Sequence, residues 1–447
     1  MRILLYNPPR YHGYPVVRLY RSEYIYNKKG VVPPMDLAYF ASALNKKYKD
    51  LEVKILDANG ENLTEEKIKK IITLFSPNLI VVKATISTLS NDLMLLKEYK
   101  NEDKNVKIIL SCRTCIGMEK YILKEYTFID GIARGEIDAF VDLVSIIGRK
   151  NSLTIKGLYT NSHHSDDLRI VEDLNENPIP MIEALPNIWY KGYHIPPYTK
   201  SGYFLIASRG CPFRCSFCPT GGIKGHPFYL RKRKSENVIE EIKLINSKGI
   251  RDFYFFDEIF TLPNHAEIIS KKITEERLDV SWRCEGKVNF ITDGMLRSMK
   301  RAGCDVIFYG LETVNEKSLK KIKKEQTLWQ FKKAILLTKK NEIKVGVYLL
   351  LGLPDENWKS IIKLILFLLR LNPDLIMFNL LSPYPGTKIF EEMKKQNLLL
   401  TDKYTNVDRH LSENELFKTN IKTKYLTPNH LKVIEFFIKK VFFYKLK

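Results

Sequence analysis

The chain reads as an α/β protein: a doubly wound parallel sheet, then six further strand–helix units, then a C-terminal helical piece. Three observations predict this. Short apolar runs alternate with amphipathic segments over residues 1–150, prolines interrupt the pattern over 151–200, and the alternation resumes over 201–400. At 447 residues the chain exceeds what one hydrophobic core organises, so more than one domain is expected.

In the first stretch, candidate strands are 2–6, 52–56, 79–83, 106–111 and 131–134. Helical patterns lie at 35–47, 65–75, 91–99 and 119–126. Strands this uniformly apolar belong to a parallel sheet covered on both faces. Ligands of such sheets bind beyond the carboxyl ends of the strands. The residues expected there are Asn7, Pro8, Asp57, Thr85, Ser87, Ser111, Arg113, Thr114, Gly135 and Glu136. No Gly-x-Gly-x-x-Gly follows the first strand, which speaks against a dinucleotide. Cys112 and Cys115 are expected as buried thiols, a small redox or metal clip being the other reading. Pro178, Pro180, Pro186, Pro196 and Pro197, with little helical periodicity around them, mark 151–200 as a linker between domains.

In the second stretch, strands are expected at 203–207, 252–256, 280–284, 306–309, 344–351 and 375–380. Helices are expected at 235–248, 264–277, 292–302, 328–340 and 358–371. The run Ile361 to Leu371 is too short to span a bilayer and is expected as a buried helix. Residues 401–447 form a C-terminal extension in which Pro428-Asn429 opens a basic, Phe- and Ile-rich helix. Closing the edge of the second sheet is its expected role, and contact with an anionic membrane is the other reading.

The chemistry is concentrated in Arg-Gly-Cys-Pro-Phe-Arg-Cys-Ser-Phe-Cys-Pro, which carries Cys211, Cys215 and Cys218 directly after the strand at 203–207. Three thiols spaced by three and then two residues supply three ligands where a closed structural site uses four. A four-iron, four-sulfur cluster held this way keeps one iron open. Zinc knuckles pair cysteines as two Cys-x2-Cys clips, and no second clip or His-x3-5-His follows here.

The triad, with Phe217 before its last cysteine, resembles the signature of the radical S-adenosylmethionine (SAM) superfamily. The resemblance covers about residues 201–400 and implies a partial (β/α)6 radical SAM barrel. It implies a 4Fe-4S cluster on Cys211, Cys215 and Cys218 whose open iron chelates SAM and splits it to a 5′-deoxyadenosyl radical. It places Asp257 and Glu258 at the SAM amino group, and Arg283 and Glu285 at its carboxylate and ribose. Gly310, Glu312 and Thr313 fall at the amino acid moiety, in a Gly-x-Glu-Thr turn, and Gly352 at the adenine. The turn Pro383-Tyr384-Pro385-Gly386-Thr387 is a further marker.

Asn7-Pro8-Pro9, Val32-Pro33-Pro34-Met35-Asp36-Leu37-Ala38 and Arg134-Gly135-Glu136 resemble the N-terminal module of the cobalamin-binding branch. The implied first domain is therefore Rossmann-like and of the cobalamin-binding type. The chain departs from that branch in having no Asp-x-His-x-x-Gly, which implies no histidine as lower cobalt ligand. It also has Ser111-Cys112-Arg113-Thr114 where the branch usually has a glycine-rich turn. Arg113 would fill that space or meet a phosphate of the nucleotide tail.

The activity implied is that of a cobalamin-dependent methyltransferase acting on an unactivated carbon, using the 5′-deoxyadenosyl radical and methylcobalamin. A radical SAM cyclase or other C–H functionalising enzyme shares the scaffold. A methylthiolating RNA-modifying enzyme carries further cluster cysteines, of which Cys112 and Cys115 are one short. A non-catalytic corrinoid-binding protein would not need the triad. A small flavodoxin- or ferredoxin-type reductant is the implied partner.

A net charge of +21 suits an acidic protein, a phosphorylated or nucleic acid substrate, or an anionic lipid surface. Its densest runs are 231–234 and 317–324, and simple basic solvation is a plainer reading than any one of these partners. Seven cysteines, three of them in a metal loop, do not read as a disulfide framework. With no signal peptide or spanning segment legible, a reducing cytoplasm is expected, where an oxygen-sensitive cluster survives.

Overall fold

The structure, a computed structural model, describes residues 1–19, 23–25, 31–147, 155–176, 179–185, 203–223, 229–400 and 421–443. These fall into two compact units, one within 1–185 and one within 203–443.

The first unit is built on a six-stranded sheet. Its strands are β1 (Arg2–Asn7), β2 (Glu52–Asp57), β3 (Leu79–Lys83), β4 (Lys107–Ser111), β5 (Gly131–Ala133) and β6 (Leu158–Tyr159), in the order β2-β1-β3-β4-β5-β6. The first five run parallel, and β6 pairs antiparallel with β5. Every residue of β3 is buried and only Arg2 of β1 is exposed, as expected of parallel strands covered on both faces. Helices α1 (Met35–Lys47), α2 (Glu65–Phe75), α3 (Leu89–Glu102) and α4 (Glu119–Glu125) supply the cover. Local chemistry sets their ends: Thr64 accepts from Lys67 N at the start of α2, and Ser76 in the left-handed region stops it. Helix α3 is longer than its sequence pattern because a 3-10 turn at Ile86–Thr88 leads straight into it. The chain turns in opposite directions from β1 and β3, so a crevice opens at their carboxyl ends.

The described part of the proline-rich stretch packs on this first sheet. It contributes β6, Gly135 bridges to Arg169, and Met181 N donates to Ala38 O at 3.0 Å. A two-residue strand is too short to show the alternation by which sequence reveals strands.

The second unit carries β7 (Tyr203–Leu205), β8 (Asp252–Phe255), β9 (Ser281–Gly286), β10 (Cys304–Glu312), β11 (Lys344–Leu351) and β12 (Leu375–Leu380). All are parallel and follow one another in sequence order, with β7 and β12 as the two edges. This is the strand order of an incomplete (β/α) barrel. Helices α5 (Ser235–Ser247), α6 (His265–Glu275), α7 (Asp293–Arg301), α8 (Glu316–Lys321), α9 (Leu328–Lys340) and α10 (Trp358–Leu371) connect the strands. Helices α11 (Lys388–Lys395) and α12 (Pro428–Phe443) follow. Capping boxes start two of them, Thr327 with Gln330 and Asn357 with Ser360.

Helix α10 differs from its expectation as a buried helix. Ile361, Leu364, Leu368 and Leu371 are buried, whereas Trp358, Ile362, Leu366 and Leu369 face solvent. Helix α12 packs on β12 through a face that includes Leu431, Ile434 and Ile438. No helix among the described residues is long and apolar enough to cross a membrane.

Candidate active site

The cysteine loop leaves the end of β7 and is fixed at both shoulders. Gly210 has φ +98, its N–H donates to Glu258 Oε2 at 3.1 Å, and a Cβ there would stand 2.3 Å from Tyr229 O. Beyond the triad, Gly221 and Gly222 allow a tight coil: added Cβ atoms would stand 2.3 Å from Phe213 O and 2.6 Å from Cys218 O. Ser216 N donates to Ile322 O at 3.0 Å, and Ser216 O accepts from Ile389 N at 3.1 Å. The loop is thereby held by segments from both halves of the sheet.

Cys211, Cys215 and Cys218 are free thiols, each half-buried. Burial pushes Cys211 up to about 12 and Cys215 up to about 11. Such thiols ionise when iron takes the proton's place. Two lysines stand by: Lys287 Nζ lies 4.4 Å from the centre of the Phe213 ring, and Lys324 Nζ lies 6.0 Å from that of Phe217. Among the described residues, no three His, Cys, Asp or Glu side chains converge as ligands of a single ion do. A cubane cluster, which gives each thiolate its own iron, does not ask for such convergence.

The strand ends around the loop divide into committed and open groups. Asp257 is fully buried, its Oδ1 accepting from Ala207 N at 2.8 Å and its Oδ2 from Ser208 Oγ at 2.5 Å, so it ties β7 to β8. His265 Nε2 lies 4.0 Å from that carboxylate, and burial pushes the imidazole down to about 4, leaving it neutral. Glu258, one residue on, has Oε2 on Gly210 N, but its Oε1 is buried with no hydrogen-bond partner among the described residues.

Glu312 adopts φ +64, rare for a residue with a side chain, and its Oε1 meets Lys324 Nζ at 2.6 Å in a partly buried pair. The pair passes over Gly310, where a Cβ would stand 2.4 Å from both atoms. Thr313 Oγ1 accepts from Asn315 N at 3.3 Å and so shapes the turn. Glu285 Oε1 accepts from Tyr254 OH at 3.2 Å and Tyr348 OH at 3.4 Å, joining three strands. Arg283 is buried, and its electrostatic neighbours include Asp252 and Asp305, near the amino ends of β8 and β10. At Gly352 (φ +93) the space a side chain would take holds Ile421 Cδ1, 2.6 Å from the ideal Cβ.

In the first unit, the expected edge residues stand at the carboxyl ends of the strands, bonded to one another or to neighbouring groups. Asn7 Nδ2 donates to Asp57 Oδ1 at 2.7 Å, Ser87 N to Thr85 Oγ1 at 3.2 Å, and Ile86 N to Thr114 Oγ1 at 3.2 Å. Ser111 O accepts from Ala84 N at 3.0 Å, and Pro8 O accepts from Arg18 Nη1 at 3.0 Å. Gly135 and Glu136 face the returning chain: a Cβ on Gly135 would stand 1.8 Å from Arg169 O, and Glu136 Oε2 accepts from Val171 N. Arg113 is buried. Cys112 and Cys115, expected as separate thiols, form a buried disulfide; the 3-10 turn at Arg113–Cys115 brings their Cα atoms to 5.3 Å.

Sequence gave no sign of Arg18 and Asp92, which form a buried ion pair at 2.5 Å. Arg18 also bonds Pro8 O and Pro9 O, and Asp92 accepts from Thr85 N and Thr88 Oγ1. The pair thus ties the loop after β1 to the loop after β3, across the switch point. Neither residue sits in a motif. Of the basic run 231–234, Arg231 and Arg233 turn inward by strand alternation, and Arg233 pairs with buried Glu241 at 2.6 Å. Lys324 is likewise turned partly inward, its side chain only 14% exposed.

A three-thiol loop at the carboxyl ends of a sequential parallel sheet, beside a carboxylate with an unfilled oxygen, defines a class of metallocluster enzyme. The model of the radical SAM superfamily matches residues 205–368. An uncharacterized methyltransferase of Pyrococcus horikoshii is 31% identical over 404 residues, covering 86% of this chain and 85% of its own. The anaerobic magnesium-protoporphyrin IX monomethyl ester cyclase of Rubrivivax gelatinosus is 25% identical over 81% of this chain and 66% of its own. Among solved structures, the radical SAM methyltransferase TsrM of Kitasatospora setae, with cobalamin and a [4Fe-4S] cluster bound, shares the fold. Its TM-score is 0.68 at 16% identity, over 88% of this chain and 75% of that one. The chain belongs to the radical SAM superfamily.

Proposed function

We propose that the protein is a cobalamin-dependent radical SAM methyltransferase that methylates an unactivated carbon. Cys211, Cys215 and Cys218 hold the 4Fe-4S cluster, and Glu258 offers its open Oε1 to the SAM ammonium. That buried, unpartnered oxygen next to the thiol loop is the observation that carries the reading. Glu285 with its two tyrosines, and the Glu312–Lys324 pair over Gly310, orient the rest of SAM. When bound, the cluster supplies the electron that splits SAM, and the corrinoid carries the methyl group.

The first unit fits a corrinoid as a rigid floor. Its strand order opens a crevice at the β1/β3 switch point, and the polar groups there are already fixed, chiefly by Arg18 and Asp92. The chain carries no Asp-x-His-x-x-Gly, so Asn7, Asp57, Thr85 and Thr114 at the strand ends are the residues that would hold the corrinoid. Methyl transfer is favoured by likeness to the Pyrococcus methyltransferase, while the Rubrivivax relative supports cyclisation as the second reading. A flavodoxin- or ferredoxin-type protein delivers the electron.

Anaerobic reconstitution with iron, sulfide, reductant, SAM and hydroxocobalamin tests both readings. Methyl transfer requires corrinoid retained through gel filtration, with 5′-deoxyadenosine and S-adenosylhomocysteine both formed. Corrinoid retention and 5′-deoxyadenosine without S-adenosylhomocysteine would favour the cyclase. Cys215→Ala is expected to lose the cluster absorbance and 5′-deoxyadenosine together; a variant still producing 5′-deoxyadenosine would remove Cys215 from the ligand set.

A further inference from the structure

Helix α10 is apolar on two opposite sides. Its inner side enters the core, while Trp358, Ile362, Leu366 and Leu369 are 45%, 56%, 48% and 43% exposed. At 100° per residue these four fall within an arc of about 80°, and Lys359, Lys363 and Arg370 lie beyond one border of that arc, within about 60° of it. The helix holds no Asp or Glu. A soluble helix normally turns such a face polar, so a continuous exposed stripe marks an interaction surface.

Helix α12 repeats the arrangement. Val433, Phe436 and Phe437 are exposed on one side, Lys440 Nζ stands 5.1 Å from the centre of the Phe436 ring, and Glu435 is buried. The two helices begin at a common corner, where the Trp358 and His430 rings lie 5.5 Å apart. Aromatic and aliphatic side chains bordered by cations, with no exposed carboxylate on either helix, match the surface of an anionic bilayer. Apolar groups enter the acyl boundary while lysines meet lipid phosphates. The chain's net charge of +21 adds long-range attraction.

We propose that α10 and α12 form a peripheral docking surface for anionic lipid membranes. This rests on the radical SAM unit alone and is independent of the methyl-transfer reading.

The test is co-sedimentation of the reconstituted full-length enzyme with phosphatidylcholine vesicles, with and without phosphatidylglycerol. Binding is expected only to the anionic vesicles, and to weaken with salt. Neutralising the border with Lys359→Gln, Lys363→Gln and Arg370→Gln is expected to lower affinity on the order of a hundredfold. Ile362→Glu with Leu366→Glu, both on the solvent side, is expected to abolish binding while cluster absorbance and 5′-deoxyadenosine formation persist. Absence of binding, or equal binding by wild type and both variants, would overturn the proposal. So would concentration-dependent self-association of the wild type, lost in the glutamate variant, without vesicle binding; that result would assign the stripe to a second copy of the chain.

Discussion

Glu356 gives the sharpest stability prediction because its environment is one-sided. It lies between β11 and α10, its Oε2 accepts from Gly352 N at 2.6 Å, and it is almost wholly buried. Burial pushes the carboxyl from the ordinary 4.5 up to about 7, and the Gly352 N–H pulls it only partly back. A raised pKa means that the folded state holds the proton more tightly than the unfolded chain. The resulting stability is fully present below about 4.5 and is lost as pH rises through about 7. At about 1.4 kcal/mol per pH unit, the loss is about 1 kcal/mol at pH 5.5 and about 3 kcal/mol at pH 8. Glu356→Gln keeps an oxygen for Gly352 N and never ionises. The variant is therefore expected to be more stable than wild type, by those same amounts. Differential scanning calorimetry at one scan rate should show its apparent Tm raised by about 6–10 °C at pH 8 and by about 2–4 °C at pH 5.5. A variant less stable at both pH values, or a difference that does not change with pH, would refute a neutral buried carboxyl at this position.

Gly310→Ala forces a methyl group to 2.4 Å from both Glu312 Oε1 and Lys324 Nζ, so the pair must open. SAM affinity measured by equilibrium dialysis should fall at least about tenfold, the equivalent of one charge-assisted hydrogen bond, with iron content unchanged. Asp92→Asn leaves Arg18 buried without its counter-charge and should cost about 3–5 kcal/mol, seen as a lower Tm and weaker hydroxocobalamin retention. Arg18→Met combined with Asp92→Leu should recover much of the Tm but not the retention, because the ties to Pro8 O, Pro9 O and Thr85 N are gone.

The strand and helix pattern was legible because both sheets are parallel. Parallel strands show as unbroken apolar runs such as Leu79–Lys83, and their connecting helices carry recognisable caps such as Thr327 with Gln330. The cysteine loop was legible because its three cysteines are local in sequence. What sequence concealed depends on pairs far apart in the chain. Arg18 and Asp92 are separated by 74 residues, and neither type or spacing marks them as partners. Lys324 closes a run of lysines that reads as solvated charge, yet it is the one drawn against Glu312. Helix α10 was misjudged because periodicity reports that a helix is apolar all round, but not whether both sides find protein to pack on.

Asp257 and Glu258 show most directly how structure resolves what sequence leaves equal. As neighbours at the end of β8, both suit an ammonium group. Geometry separates them: Asp257 has an acceptor bond on each oxygen from the end of β7, so it fixes where the cysteine loop begins. Glu258 spends one oxygen on Gly210 N, just before Cys211, and keeps the other buried and unpartnered. A buried carboxylate oxygen that no protein donor meets is an acceptor whose desolvation the protein's own groups do not offset. A cationic ligand arriving beside the thiols would offset it, and on that asymmetry rests the proposal that Glu258 binds the SAM ammonium while Asp257 is structural.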